Sequence, residues 1–211
     1  MPRLTALIAA ATTVLLAPAS ASAAAYSYSG LASAEPVHGL AATITQLSLP
    51  RVRSGHVAAW VGIGGPGAGP AGQDEWLQVG IGELYGGRPV LYAEVRSGRR
   101  YSFRVLRAPV PAGETHRVAL TELAPGSWSV VVDGRAVAWR ARLDAGVGRR
   151  AQVAAESWTS SGACNGLAFR VEAVAARGPG GWHPLRRPFL FHDAPLTVAS
   201  AAGGYELTSR C

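Results

Sequence analysis

The chain has 211 residues and a formal charge of +7, from 20 cationic side chains, every one an arginine, against 13 acidic ones. The arginines fall singly or in pairs (Arg99-Arg100, Arg149-Arg150, Arg186-Arg187), without the clustering on one surface that a nucleic-acid partner requires. A hydrophobic fraction of 48% at this length suits one domain with a sizeable core.

Arg3, the apolar run from Leu4 to Leu16 and the small residues from Ala19 to Ala25 have the layout of a secretory signal cleaved after Ala23 or Ala25. The run is too short for a membrane span. Residues 1–25 are therefore expected to be a signal peptide, and 26–211 an extracellular, soluble, monomeric domain. Tyr26 to Leu40 can be either a removable propeptide or part of the first sheet. Beyond it, Gly, Pro and Ser interrupt the chain every 8 to 12 residues or so, and short runs rich in β-branched and aromatic residues lie between the breaks. These predict strands near 40–49, 56–63, 75–82, 89–96, 101–107, 116–123, 127–132, 135–141, 151–158 and 167–174. So many short strands predict an all-β antiparallel sandwich or jelly roll. Gly64 to Gly72 is expected to be a surface loop. A hairpin is predicted at Asp133-Gly134, and another at Arg99-Arg100 after Ser97-Gly98. Gly178 to Pro195 is expected to be irregular, folding over a sheet edge or the mouth of a cleft. Cys164 and Cys211 are the only cysteines, an even pair in an exported chain, and are expected to form a disulfide.

Side chains alternate between the two faces of a strand. Val57, Ala59, Val61 and Ile63, then Leu77, Val79 and Ile81, then Leu91, Ala93 and Val95, then Val153 and Ala155 fall on one face, which is a plain core. The opposite face collects Trp60, Trp76, Gln78, Tyr92, Glu94, Glu156 and Trp158, among glycines and alanines where bulk would block a ligand. An amide, two carboxyls and aromatic walls are the composition of a cleft.

Other chemistries find little support. His38, His56, His116, His183 and His192 lack metal-ligand spacing, and His183 with His192-Asp193 is a weak cluster better explained as loop polar groups. No G-x-S-x-G elbow occurs. Gly62-x-Gly64-x-x-Gly67 contains Pro66 and precedes no helix, so it is not a dinucleotide loop. No metal and no cofactor are expected.

Several segments in order resemble one family. Tyr28-Ser29-Gly30 with Ala42-Thr43-Ile44-Thr45-Gln46-Leu47-Ser48-Leu49-Pro50 is similar to the opening "WSG … TFTVP" strands of the glutamic peptidases, the eqolisins. Ala59-Trp60-Val61-Gly62-Ile63-Gly64-Gly65 resembles their AWVGIDG, Leu77-Gln78-Val79-Gly80 their LQTG, Tyr92-Ala93-Glu94 their WYE, and Ala155-Glu156 their AEW. The resemblance implies a concanavalin-like jelly roll and a catalytic dyad of Gln78 and Glu156, with Trp60, Trp76, Tyr92, Glu94 and Trp158 as substrate-binding residues. Three positions depart from the pattern: Gly64 stands for an Asp, Ser157-Trp158 for the Trp that follows the Glu, and Ala93 for an aromatic.

Such a pair can hydrolyse an amide. A carboxyl takes a proton from water and returns it to the leaving amine, while a glutamine NH2 donates to the developing oxyanion and its carbonyl holds the water. Glu94 is expected to hydrogen-bond the pair or to raise the Glu156 carboxyl by like charge. The expected substrate is a polypeptide. The alternative partner is a glycan stacked on the tryptophans, bound by a non-catalytic module or cleaved between Glu94 and Glu156.

Overall fold

The structure, a computed structural model, describes residues 25–144 and 151–211. The predicted signal segment, save Ala25, lies outside the described residues. The strands are β1 (Ala25–Ala32), β2 (Gly39–Gln46), β3 (His56–Gly65), β4 (Glu75–Leu84), β5 (Val90–Ser97), β6 (Arg100–Arg107), β7 (Thr115–Ala124), β8 (Ser127–Val132), β9 (Arg135–Arg142), β10 (Ala151–Thr159), β11 (Ala168–Gly178), β12 (Gly181–Pro184), β13 (Phe189–His192), β14 (Leu196–Ala201) and β15 (Gly204–Ser209). One short 3-10 turn, Pro70–Gly72, follows β3 in the Gly- and Pro-rich loop.

They form two antiparallel sheets. One runs β13-β1-β10-β3-β4-β5-β6 and the other β14-β15-β11-β2-β7-β8-β9, with β12 beside β11. The predicted alternation decides which faces meet. Val57, Ala59, Val61, Ile63, Leu77, Val79, Ile81, Leu91, Ala93, Val153 and Ala155 are buried against Leu40, Ile44, Leu120, Trp128, Phe169 and Leu207 of the second sheet. Apolar area removed from water between the two layers is what holds the sandwich together.

Several details complete or correct the sequence reading. Tyr26 to Ala32 belongs to the first sheet, since β1 pairs with β10 on one side and with β13 on the other. The stretch from Gly178 to Pro195 is not irregular throughout: it contributes β12 and β13, and β13 covers the edge of β1. Two further strands, β14 and β15, lie in the Ala- and Gly-rich C-terminal segment, where the apolar pattern was too sparse to announce them. The second hairpin turns on Gly98-Arg99, because Ser97 pairs with Arg100. Gly98 takes the left-handed conformation at φ 57° that a side chain resists, and this frees Arg100 to be a strand residue. At the other hairpin Asp133 and Gly134 both have positive φ, 50° and 77°, as the predicted two-residue turn requires. Cys164 and Cys211 are disulfide-bonded.

Candidate active site

The outer face of the first sheet encloses a hollow of about 1200 Å³. Strand register fixes its layout. Across β10, β3 and β4 the facing positions are Glu156, Ala58 and Gly82 in one row, Ala154, Trp60 and Gly80 in the next, and Gln152, Gly62 and Gln78 in the third. Tyr28 of β1 extends the first row, and Glu94 of β5 extends the third. Gln78 and Glu156 thus open onto one hollow, on opposite sides of β3. They lie four positions apart along β3, a rise of about 13 Å, with about 10 Å between their strands.

No hydrogen bond joins Gln78 to Glu156, and each is held by its own set. The His56 Nε2–H donates to Glu156 Oε1 at 2.7 Å and the Trp60 Nε1–H donates to Oε2 at 3.0 Å. Glu156 is 8% exposed, so these two donors replace much of its hydration. On the other side the Gln78 Nε2 hydrogens go to Tyr92 Oη at 3.3 Å and Glu94 Oε2 at 3.2 Å, while Trp76 Nε1–H donates to Glu94 Oε1 at 2.9 Å. The indole of Trp60 lies between the two groups: one end is bonded to Glu156, and the other covers Gly62, where an added Cβ would stand 2.5 Å from Cζ3.

Of the predicted site residues, Gln78, Glu156, Trp60, Trp76, Tyr92 and Glu94 line the hollow. Trp158 does not. It stacks on His56, with ring centroids 5.7 Å apart, and packs against Gly55, where an added Cβ would stand 2.4 Å from its Cε3. Trp158 is therefore backing for the histidine. Ala58, Gly62, Gly64 and Gly82 line the hollow, and some of the small residues have a further role. Gly62 accommodates the Trp60 ring, and at Gly80 a Cβ would lie 2.0 Å from the Ala59 carbonyl oxygen. These two glycines make room for the protein's own indole and backbone.

Sequence reading missed His56 and Tyr28. The signal for His56 was present in its parity, which it shares with Ala58 and Trp60. What alternation could not supply was the diagonal reach from His56 to a carboxyl on the neighbouring strand. Phe191 and Asp193 also reach the hollow, because β13 pairs with β1 and the Tyr28 backbone N–H donates to Asp193 Oδ2 at 3.1 Å.

Burial raises the Glu94 carboxyl above the ordinary glutamate range, and the charge of Glu156 adds to this against the lowering effect of the Trp76 and Gln78 hydrogen bonds. The phenols of Tyr28 and Tyr92 are likewise pushed up, first by burial and then by the charge of Glu156. Both remain neutral O–H donors beside the two carboxyls. Tyr92 accepts from Gln78 and so keeps its own proton for another acceptor. Trp60, at 5% exposure, is too covered to present an open stacking platform. Among the described residues no group of three or more His, Cys, Asp or Glu could hold a metal ion.

No protein-family model and no curated protein sequence matches the chain. Solved structures do. Scytalido-glutamic peptidase with a transition state analog inhibitor superposes with a TM-score of 0.64 at 13% identity, covering 89% of this chain and 100% of that one. The same peptidase with a peptide-based transition state analog gives 0.65 at 15% identity with the same coverage. SCP-B, a member of the eqolisin family of peptidases bound to the tripeptide Ala-Ile-His, gives 0.62 at 15% identity, again with the same coverage. At these identities the likeness is one of fold: the chain is a two-sheet sandwich of the eqolisin jelly-roll form.

Proposed function

We propose that this chain is an exported, acid-acting endopeptidase in which Glu156 moves the proton and Gln78 steadies the charge. The observation that carries the reading is their placement on either side of Trp60 in a single hollow, in a fold shared with glutamic peptidases. The two groups share no hydrogen bond and stand about 13 Å along and about 10 Å across in backbone register, so the reading places a water and the substrate carbonyl in series between them rather than one water held by both. A water in near-attack contact with a carbonyl, each hydrogen-bonded to the protein at its outer end, spans roughly 9 Å.

The water then sits on the Glu156 side and the carbonyl oxygen on the Gln78 side, with the peptide lying across β3 between them. Glu156 takes one proton from the water while its oxygen bonds to the carbonyl carbon. The carbonyl electrons move onto oxygen, which receives hydrogen bonds from the Gln78 NH2, released from one present acceptor, and from the Tyr92 hydroxyl. Glu156 gives its proton to the amide nitrogen, the C–N bond breaks, and an acid and an amine result. Protein side chains alone supply these steps. The glycan alternative relies on the open faces of Trp60 and Trp158, one of which is buried and the other stacked on His56.

The test is cleavage of a denatured protein at acid pH by the purified chain, with resistance to pepstatin. Glu156→Gln and Gln78→Ala are each expected to lose turnover while remaining folded. Full activity in either variant overturns the assignment.

A further inference from the structure

Next to Gln78 along the hollow lies a cation that the hydrolytic chemistry does not use. Gly64, Trp76 and Arg96 form one row across β3, β4 and β5, immediately beyond the row of Gly62, Gln78 and Glu94. The Arg96 guanidinium lies over the Trp76 ring, 5.6 Å from its centroid, and lines the hollow. Its Nε is buried without a hydrogen-bond partner. Trp76 is itself fixed by its bond to Glu94, so the guanidinium rests on a held surface.

Two carboxylates lie in the neighbourhood, and Arg96 pairs with neither. Glu94 is occupied by Trp76 and Gln78, and Asp74 Oδ1 accepts from the Gly67 backbone N–H at 3.2 Å. Arg96 forms no ion pair within 4.0 Å among the described residues. In the same row, on the far side of Trp76, stands Gly64, which has no side chain to offer. At the following residue, Gly65, an added Cβ would meet nothing within 4 Å. A planar fork of donors, oriented by an aromatic face and open on one side, is suited to a carboxylate.

We infer that Arg96 is a carboxylate-recognition site within the cleft, selecting peptides that carry an acidic group about two residues from the bond held at Gln78. Arg96 stands one row, about 7 Å, along the strands and one strand, about 5 Å, across from Gln78, a displacement of about 8 Å that two residues of extended peptide with a side chain span. This inference rests on the peptide reading of the hollow. The acidic group can be a side chain or the free C-terminus of the peptide; in the second case the product is a C-terminal dipeptide.

The test measures binding without turnover, using the Glu156→Gln chain and four peptides. Acetyl-Ala-Leu-Phe-Ala with a free C-terminus is compared with its C-terminal amide. Acetyl-Ala-Leu-Phe-Ala-Glu-Ala-amide is compared with the same peptide carrying Gln for Glu. At pH 6 one of the two carboxylate forms is expected to bind about tenfold more tightly than its neutral partner, and which pair discriminates identifies the source of the acid. The preference fades toward pH 3 as the peptide carboxyl, with a pKa near 4, takes up its proton. Adding Arg96→Gln abolishes it, and Arg96→Lys, a charge without the fork, retains only part. Equal binding within both pairs, a preference that survives Arg96→Gln, or no binding of any peptide overturns the site. A chain that shows the Arg96-dependent preference but cleaves no peptide keeps this site and loses the hydrolase reading. Cleavage without the preference does the reverse.

Discussion

The imidazole of His56 and the carboxyl of Glu156 meet at 2.7 Å across the boundary between β3 and β10, and Trp158 stacks on the outer side of the ring. With the Trp60 indole on the other oxygen, this aims the carboxyl along the hollow. Charge-assisted hydrogen bonds of this kind are worth about 1.5–3 kcal/mol. His56→Ala is therefore expected to lower kcat on a peptide substrate about 10- to 100-fold with little change in KM. His56→Gln, which keeps an N–H donor, should recover part of the loss. Equal kcat in wild type and His56→Ala at every pH examined removes the histidine from the mechanism.

Gly62 lies under the Trp60 ring, where a methyl group would stand 2.5 Å from Cζ3. Gly62→Ala should push the indole off its bond to Glu156, costing about 1–3 kcal/mol of stability as an overpacked site and reducing turnover. The downfield NMR signal of the Trp60 indole N–H reports the displacement directly. An unchanged signal together with unchanged activity counts against the indole as the link between the two polar groups.

Glu75 tests the electrostatics away from the cleft. Its side chain is 1% exposed; Oε1 accepts from Ser97 Oγ and the Asp144 backbone N–H, and Oε2 has no partner. Burial raises its carboxyl above the ordinary range. The sign follows by linkage. A carboxyl raised on folding favours the native state fully only below its unfolded value, near 4.3, and that contribution is lost as pH climbs through the raised folded value. Glu75→Gln should therefore gain on wild type as pH rises, by about 2–4 °C in Tm at pH 7 for each kcal/mol relieved, with the gain vanishing toward pH 3.5. A Tm difference that does not vary with pH contradicts the buried-charge account.

The disulfide joins Cys164 to Cys211 across a separation of 47 residues and secures the C-terminal strand β15 beside β11. Cys164→Ser with Cys211→Ser should cost about 2–4 kcal/mol in urea unfolding. Because neither cysteine lines the hollow, peptide binding below the unfolding midpoint should persist. Loss of binding in a folded double variant would give the bond a role at the site.

The all-β architecture, the inward apolar rows and the hollow-facing rows were legible in the sequence because they obey a period of two along each strand, which is a local rule. Trp60, Trp76, Gln78, Tyr92, Glu94 and Glu156 could be placed on one face for that reason. Trp158 has the right parity and was still misjudged, since parity specifies a face and does not say whether a neighbour such as His56 stands between the ring and the open space. The missed strands β12 to β15 are only four to six residues long, too short for alternation to announce them; pairing with β1, with β11 and of β14 with β15 holds them in place.

By itself, then, the order of residues determined which side chains face the core and which face away, because that depends on backbone geometry repeating every two residues. Tertiary structure alone decided that His56 and Trp60 hold Glu156, that Glu94 and Tyr92 hold Gln78, and that Arg96 is left without an acid. Those outcomes depend on register between strands distant in the chain, and register is set by how two whole sheets bury their apolar faces against each other.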